Sequence, residues 1–166
     1  MGDGSGAAGL MVRFIGPGWI CRAGAPRRRS GSELVVCLVA APSRATDALI
    51  SSLRKYRALH VCSTPPDRVV EPGWALHRNP RVILIDQAAG VDRSIRVAAA
   101  VRERYPGAPV MMLGEAGEPG ATAQTVLRCG ASGFVDKKWG ALGIARGILA
   151  SVGAWPGHSA SILKHS

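Results

Sequence analysis

Two charged side chains stand where short apolar runs of the sequence end. Asp86 follows the run 82–85, and Lys137 comes soon after the run 133–135. If these runs are strands of one parallel sheet, both side chains lie at its carboxyl edge, where open α/β sheets bind their ligands. A carboxylate and an ammonium group at that edge can neutralise each other as an ion pair, or can take part in binding an anion or metabolite.

Other patterns that carry chemistry are missing from the sequence. The four cysteines form no CxxC or Cys/His cluster, and the four histidines lack the spacing of metal ligands. The sequence contains no GxSxG elbow and no GxGxxG or GxxxxGK[ST] loop. We therefore expect no enzyme activity and no resident metal. Cys37 and Cys62 lie inside apolar runs, and we interpret them as small core residues in a reducing compartment.

The apolar runs indicate the elements that would position Asp86 and Lys137. From Leu34 onwards, short runs rich in β-branched residues alternate with amphipathic stretches. This alternation is typical of βα units, which build a parallel sheet covered by helices on both faces. We predict five strands, at residues 34–40, 59–62, 82–85, 110–113 and 133–135.

Helical spacing and chain-breaking residues predict the helices between these strands. Apolar residues recur at helical spacing between 45 and 56, behind Ser43, which suits the N-cap position. The amphipathic stretch after the third strand must stop at Tyr105, because Pro106-Gly107 cannot continue a helix.

Three further helices are predicted in the remaining connections. Prolines confine the helix of the second connection to about 72–78, and the helix of the fourth is short, around 121–129. The final helix carries an apolar stripe that consists of Leu142, Ala145, Ile148, Leu149 and Val152.

The composition of the chain ends differs from that of the centre. Residues 1–32 are rich in Gly, Ala, Ser and Arg and bury too little apolar surface to offset the entropy of ordering. We expect a disordered basic tail over 1–32, one domain over 33–152, and a linker or tail over 153–166. The net charge of the chain is +10, which makes the basic tail a candidate contact for nucleic acid. No run is long enough to span a membrane, and we expect a cytoplasmic protein.

Three segments, 81–86, 104–113 and 130–137, resemble response-regulator receiver (CheY-like) domains in their order and spacing. The resemblance covers about residues 33–152 and is greatest to the receivers of regulators with a C-terminal LuxR-type helix-turn-helix domain. It implies an α/β fold with a doubly wound five-stranded parallel sheet in the flavodoxin-like order 2-1-3-4-5. It also implies a part in two-component signal transduction, in which a partner histidine kinase phosphorylates an aspartate.

The resemblance assigns roles to three residues. Asp86 takes the phospho-acceptor position, Lys137 takes that of the lysine that contacts the phosphoryl oxygens, and Phe134 takes that of the switch aromatic. The same residues also have a plainer interpretation: Asp86 and Lys137 form a structural ion pair, and Phe134 packs in the core.

The sequence departs from the receiver pattern at three positions. Directly after strand one the family has two acidic residues that help to hold Mg²⁺, whereas this chain has Ala41 and Pro42. After strand four the family has Thr or Ser, whereas this chain has Gly114. Ser43 and Glu115 are the nearest substitutes, each displaced by one position. No cofactor is expected except Mg²⁺, and that only if these two residues rescue the site.

These departures favour an atypical receiver module that acts as a protein-interaction or dimerisation domain, with impaired Mg²⁺-dependent phosphorylation of Asp86. One alternative is a phospho-accepting receiver of a transcriptional regulator that lacks its DNA-binding domain. Another, of a different class, is a basic protein that contacts nucleic acid. The expected partners are a histidine kinase or another signalling protein, and a second copy of the chain bound through the last βα units, where Trp139 and Trp155 add apolar area. No membrane contact is expected.

Overall fold

The computed structural model describes residues 33–76, 78–117 and 123–153. The predicted tail over 1–32 lies outside these residues, as do Trp155 and all of the predicted tail 153–166 except Gly153. Within the described part of the chain, no helix is long and apolar enough to cross a membrane.

The described residues form one sheet of five parallel strands in the order β2-β1-β3-β4-β5, which confirms the predicted fold class. The strands are β1 (Leu34–Val39), β2 (Leu59–Thr64), β3 (Val82–Asp86), β4 (Val110–Gly114) and β5 (Gly133–Asp136). All five begin at the predicted residues, and all except β1 run one or two residues further than predicted. Asp86, Gly114 and Asp136 are therefore the last residues of their strands.

Helices cover both faces of this sheet. They are α1 (Arg44–Leu53), α2 (Pro66–Val69), α3 (Val91–Arg104), α4 (Ala123–Arg128) and α5 (Gly140–Ser151). Short 3₁₀ turns follow β3 and β5, at Gln87–Ala89 and Lys137–Trp139. As predicted, Ser43 caps α1, because the backbone N–H of Thr46 donates to its Oγ at 3.1 Å, and α3 ends at Tyr105.

The prediction of a helix over 72–78 is wrong. The described residues of that stretch form turns and irregular chain, and the helix of this connection, α2, lies earlier. Pro66 is the first residue of α2, a position where its missing N–H and its fixed φ are well tolerated. Gly73 has a φ of +78°, a left-handed conformation that a helix cannot include. Pro66 thus begins the helix of this connection, whereas sequence reasoning treated the prolines only as helix breakers.

The predicted apolar stripe of α5 is wrong at its first residue. Leu142 is 44% exposed, whereas Ile144, Ala145 and Ile148 are buried. Leu142 precedes Ile144 by two positions, which places it about 200° away around the helix axis. It therefore faces solvent instead of the sheet.

The core consists of two apolar layers, one on each face of the sheet. Val36 and Leu38 of β1 pack in the layer beneath α1 and α5, and Cys37 and Val39 pack in the layer beneath α2 and α3. Because side chains alternate along a strand, a central strand that is covered on both faces must be apolar at nearly every position. With both faces covered, the carboxyl edge is where polar side chains of the central strands can reach water.

Candidate functional site

Asp86 and Lys137 form an ion pair at the carboxyl edge of the sheet. Asp86 ends β3 and Lys137 directly follows β5, so that β4 lies between their strands. Lys137 Nζ lies 2.7 Å from Asp86 Oδ1. The side chain of Asp86 is 12% exposed and that of Lys137 is 32% exposed, so water screens the pair only in part. The structure thus brings together the two charged residues that the sequence singles out.

The aspartates that end β3 and β5 also hold the turns that follow them. The backbone N–H of Ala88 donates to Asp86 Oδ1 at 2.9 Å, and that of Lys138 donates to Asp136 Oδ1 at 2.9 Å. Each carboxylate therefore caps a 3₁₀ turn in the way that Asp caps a helix. Because one oxygen of Asp86 meets both the Ala88 amide and the Lys137 ammonium, the orientation of this carboxylate is fixed from two sides.

A buried glutamine fills the space beside Gly114. Gln87, which directly follows Asp86, is 7% exposed. A Cβ atom added at Gly114 would lie 2.6 Å from Gln87 Oε1 and 3.2 Å from Phe134 Cε2. Both distances are shorter than the roughly 3.5–4.0 Å at which non-bonded heavy atoms attract each other best. At the position where receivers have Thr or Ser, a larger side chain therefore fits only if Gln87 moves and Phe134 gives way slightly.

Phe134 lies in the apolar core. It is 2% exposed and packs in the layer that contains Val110 and Met112. Its ring edge faces Gly114, where a threonine side chain would otherwise stand. This position agrees with the packing interpretation, and the role of switch aromatic stays a prediction.

The loop after β1 supplies no side-chain carboxylate to the site. Ala41 and Pro42 are exposed, and the carbonyl oxygen of Ala41 accepts a hydrogen bond from Thr46 Oγ1 at 3.0 Å. Ser43 Oγ caps α1 and lies 2.9 Å from Thr46 Oγ1. The polar atoms of this loop therefore hold the start of α1.

Glu115, the other candidate substitute, is directed to a different partner. Its carboxylate lies 3.5 Å from Lys138 Nζ, and the two side chains are 46% and 64% exposed. Glu115 is not among the residues that line the cavity beside Asp86. In this arrangement it forms a solvated surface pair, which contributes little to stability.

The residues around Asp86 do not fit a bound Mg²⁺ ion. Mg²⁺ requires oxygen ligands in near-octahedral geometry and is usually held by one or two protein carboxylates together with water and phosphate. Within 33–76, 78–117 and 123–153, no group of three or more His, Cys, Asp or Glu side chains is placed to hold a metal ion. Lys137 instead supplies the positive charge beside Asp86.

A cavity of about 410 Å³ lies beside the ion pair, between α1 and α5. Its polar lining comes from Ser43, Thr46, Asp86 and Lys137, and the rest consists of alanine, glycine, leucine and isoleucine side chains and backbone. The carboxyl edge of the sheet is thus open and mostly apolar, with one neutralised pair of charges at its base.

The fold matches solved structures of response regulators. A response regulator from Thermotoga maritima has a TM-score of 0.56 and 14% identity, and the match covers 74% of this chain and 99% of that one. This chain has the receiver fold. A response regulator receiver protein from Burkholderia phymatum matches with a TM-score of 0.54 and 17% identity over 73% of this chain and 96% of that one.

A response regulator from Hahella chejuensis matches with a TM-score of 0.53 and 18% identity, over 76% of this chain and 97% of that one. No protein-family model and no curated protein matches the sequence. At such identities a match shows the fold but not the chemistry of the site, so the site of this receiver fold must be judged from its own residues.

Sequence reasoning missed one residue of this site, Gln87. It is a polar side chain directly after the candidate phospho-acceptor, in a stretch that otherwise continues as alanine and glycine. The signal that could have revealed it is the pairing of a large residue at 87 with the smallest residue at 114. That pairing has meaning only once β3 and β4 are known to be neighbours.

Proposed function

We propose that this chain is an atypical receiver module of two-component signal transduction, which works through protein contacts and not through Mg²⁺-dependent phosphorylation of Asp86. In this role it has no enzyme activity of its own. Its partners are a histidine kinase or another signalling protein, and a second copy of the chain.

One observation carries the proposal: neither Ala41 nor Pro42, at the acidic-pair positions, bears a side-chain oxygen. The positive charge beside Asp86 comes instead from Lys137, at 2.7 Å. Phosphoryl transfer to a carboxylate needs a metal ion to neutralise the charge that develops on the transferred group. Ala41 and Pro42 offer no side-chain oxygen at those positions to recruit that ion.

The closed position at Gly114 supports the second part of the proposal. In receivers a hydroxyl at this position binds the phosphoryl group and draws the loop inward, but Gly114 has no side chain, and Gln87 and Phe134 occupy the adjoining space. A phosphoryl group on Asp86 would therefore have no hydroxyl at this position to bind, and the loop would not be drawn inward. A module that binds its partner through an unchanging surface needs no such movement of the loop.

The test is a titration of the full chain with Mg²⁺ and beryllofluoride, a phosphoryl mimic, followed by tryptophan fluorescence. Trp139 lies in the turn that begins with Lys137 and reports on the site. We expect a flat titration, equal to that of Asp86→Asn. A saturable response that Asp86→Asn abolishes would contradict the proposal and favour the phospho-accepting alternative.

A matched gain-of-function variant identifies the cause of a flat titration. Ala41→Asp combined with Pro42→Asp supplies two carboxylates at exposed positions after β1, and Ala41 lines the same cavity as Asp86. We expect this variant to bind Mg²⁺, because it restores the missing oxygen ligands. If the folded variant stays as inert as the parent, the missing acidic pair is not the reason for the lack of response.

The proposed contact with a second copy involves α5. Leu142 on α5 and Val70 after α2 are the large apolar side chains exposed in the described part of the chain, at 44% and 52%. In a two-fold dimer each substitution occurs twice, so the effect of a charge in the interface is doubled. Of the two residues, only Leu142 lies in the last βα unit, through which the contact is proposed, so it is the residue to substitute.

We expect Leu142→Lys to weaken self-association, with a rise of at least about tenfold in the dimer dissociation constant. Val70→Lys is the matched control, an equally exposed apolar residue on another face, and it should leave the constant unchanged. Sedimentation of the full chain over a range of concentrations measures both. A chain that stays monomeric throughout, or that dissociates only with Val70→Lys, would contradict dimerisation through α5.

A further inference from the structure

Cys37 and Cys62 lie opposite each other on neighbouring strands. Cys37 is in β1 and Cys62 in β2, and the register of these parallel strands pairs the two Cα atoms. Paired residues of adjacent parallel strands point to the same face and have Cα atoms about 4.8 Å apart, which is within the range of about 4.4–6.8 Å found in disulfides. The strand register therefore places the two cysteines at a backbone separation that a disulfide can span.

The two cysteines differ in their access to solvent. Cys37 is fully buried, whereas Cys62 is half-buried. Cys62 lines a groove of about 720 Å³ between β2 and the segment that follows it. Because β2 is an edge strand of the sheet and Cys62 lines this groove, a small molecule can approach Cys62 from solvent, whereas Cys37, on the neighbouring inner strand, is fully buried.

The surroundings of Cys62 favour its thiolate. The Cys62 thiol donates a hydrogen bond to the Val36 carbonyl oxygen at 3.4 Å. The neighbouring Cys37 thiol lowers the pKa of Cys62 to about 7, with smaller contributions in the same direction from the positive charges of Arg54 and Arg78, although burial opposes them. The pKa of Cys37 is raised by its proximity to Cys62 and by burial. Cys62, the accessible thiol of the pair, is thus the one placed to attack, and the buried Cys37 is placed to react with it afterwards.

Cys129 provides a contrast within the same fold. It is buried, and burial raises its pKa. A thiol of this kind is inert, whereas an accessible thiolate beside a second thiol is the usual arrangement of a redox-sensing cysteine.

We propose that Cys37 and Cys62 form a reversible thiol–disulfide site that hydroperoxides oxidise, with Cys62 as the attacking cysteine and Cys37 as the resolving one. This site is independent of Asp86 and goes beyond the proposed signalling function. It is also compatible with a reducing compartment, because cytosolic disulfides are typically transient and redox-sensing.

The two steps balance in atoms and electrons. The Cys62 thiolate attacks one oxygen of the peroxide, the O–O bond breaks, and the distal oxygen leaves as hydroxide, or as alkoxide from an alkyl hydroperoxide, and takes up a proton. This step oxidises Cys62 to a sulfenic acid. The sulfur of Cys37 then attacks Cys62 Sγ, its proton goes to the departing hydroxyl, and water leaves as the disulfide forms. A dithiol reductant returns the pair to two thiols.

The experiment uses the full chain with Cys21→Ser and Cys129→Ser, so that the pair alone remains. After treatment with hydrogen peroxide near neutral pH, we expect both thiols to be lost together, the intact mass to fall by two hydrogen atoms, and peptide mapping to join Cys37 to Cys62. A dithiol should reverse all three changes. Oxidation of Cys62 to sulfinic acid with Cys37 left free would overturn the proposal, as would survival of both thiols at a peroxide dose that oxidises the denatured chain.

Single variants in that background assign the two roles. With Cys37→Ser, we expect a sulfenic acid at Cys62 that a 1,3-diketone reagent captures. With Cys62→Ser, we expect Cys37 to resist peroxide in the folded chain. Faster oxidation of Cys37 than of Cys62 would overturn the assignment. If either variant fails to fold, disulfide mapping in the parent background still decides whether the pair forms.

Discussion

Replacement of Lys137 by methionine is expected to lower the free energy of unfolding by about 2 kcal/mol. Methionine keeps the length of the side chain but removes the charge that lies 2.7 Å from Asp86 Oδ1. The Asp86 carboxylate, which is only 12% exposed, would then lose its counter-charge and keep only the N–H of Ala88. Loss of one partner of a buried pair costs about 3–5 kcal/mol, and the partial exposure of this pair to solvent reduces the expected cost.

Urea denaturation of the full chain measures this effect, and Lys138→Met is its matched control. Lys138 is the next residue along the chain, is 64% exposed and pairs with Glu115 at 3.5 Å, so its loss should cost less than about 0.5 kcal/mol. The double variant Asp86→Asn with Lys137→Met removes both charges and should be more stable than Lys137→Met alone. Equal effects of Lys137→Met and Lys138→Met would show that the Asp86 pair adds no stability.

The strands could be predicted from the sequence because their signal is local. A strand covered on both faces must be apolar at nearly every position, and the run that ends at Ile85 shows this without any knowledge of its neighbours. The signals for the start of α1 at Ser43 and for the end of α3 at Tyr105 are also local, since capping and proline effects act within one turn of a helix. The order of the strands came from the resemblance to receivers and not from periodicity.

The errors arose where two local signals had to be weighed against each other. Pro66 both excludes a helix before it and suits the first turn of one, and sequence reasoning used only the first property. Leu142 is apolar and lies in α5, but which side of the helix meets the sheet depends on how the Lys137–Trp139 turn places its start. A single apolar residue near a helix end does not settle that orientation.

Of the candidate site, only the two charged residues could be predicted from the sequence. Asp86 and Lys137 could be paired from the sequence because both lie at the carboxyl ends of strands of one sheet and have opposite charge. Gln87 could not, because its importance depends on the approach of its Oε1 to Gly114 on β4 and on Phe134 on β5. Packing between residues far apart in the sequence leaves no local pattern, so this part of the site appears only in three dimensions.

Gly114→Thr, which restores the hydroxyl of the receiver pattern, is expected to lower the free energy of unfolding by about 2 kcal/mol, as overpacked core substitutions do. The new Cβ would stand 2.6 Å from Gln87 Oε1, and Gln87 would have to leave a position in which it is 7% exposed. The contact with Phe134 at 3.2 Å must relax as well. The substitution therefore introduces the residue of the receiver pattern at the expense of local packing.

A second substitution tests this explanation. Gln87→Ala combined with Gly114→Thr empties the space that the new side chain needs, so the pair should be less destabilised than the sum of the two single variants by about 1 kcal/mol. Gly107→Thr is the control, since no atom lies within 4 Å of a Cβ added there, and its effect should be small. If the two effects simply add, Gln87 does not close this position. If they are strongly coupled, the buried amide of Gln87 occupies the space that a hydroxyl side chain would need at Gly114, and this supports the proposal of a constant surface.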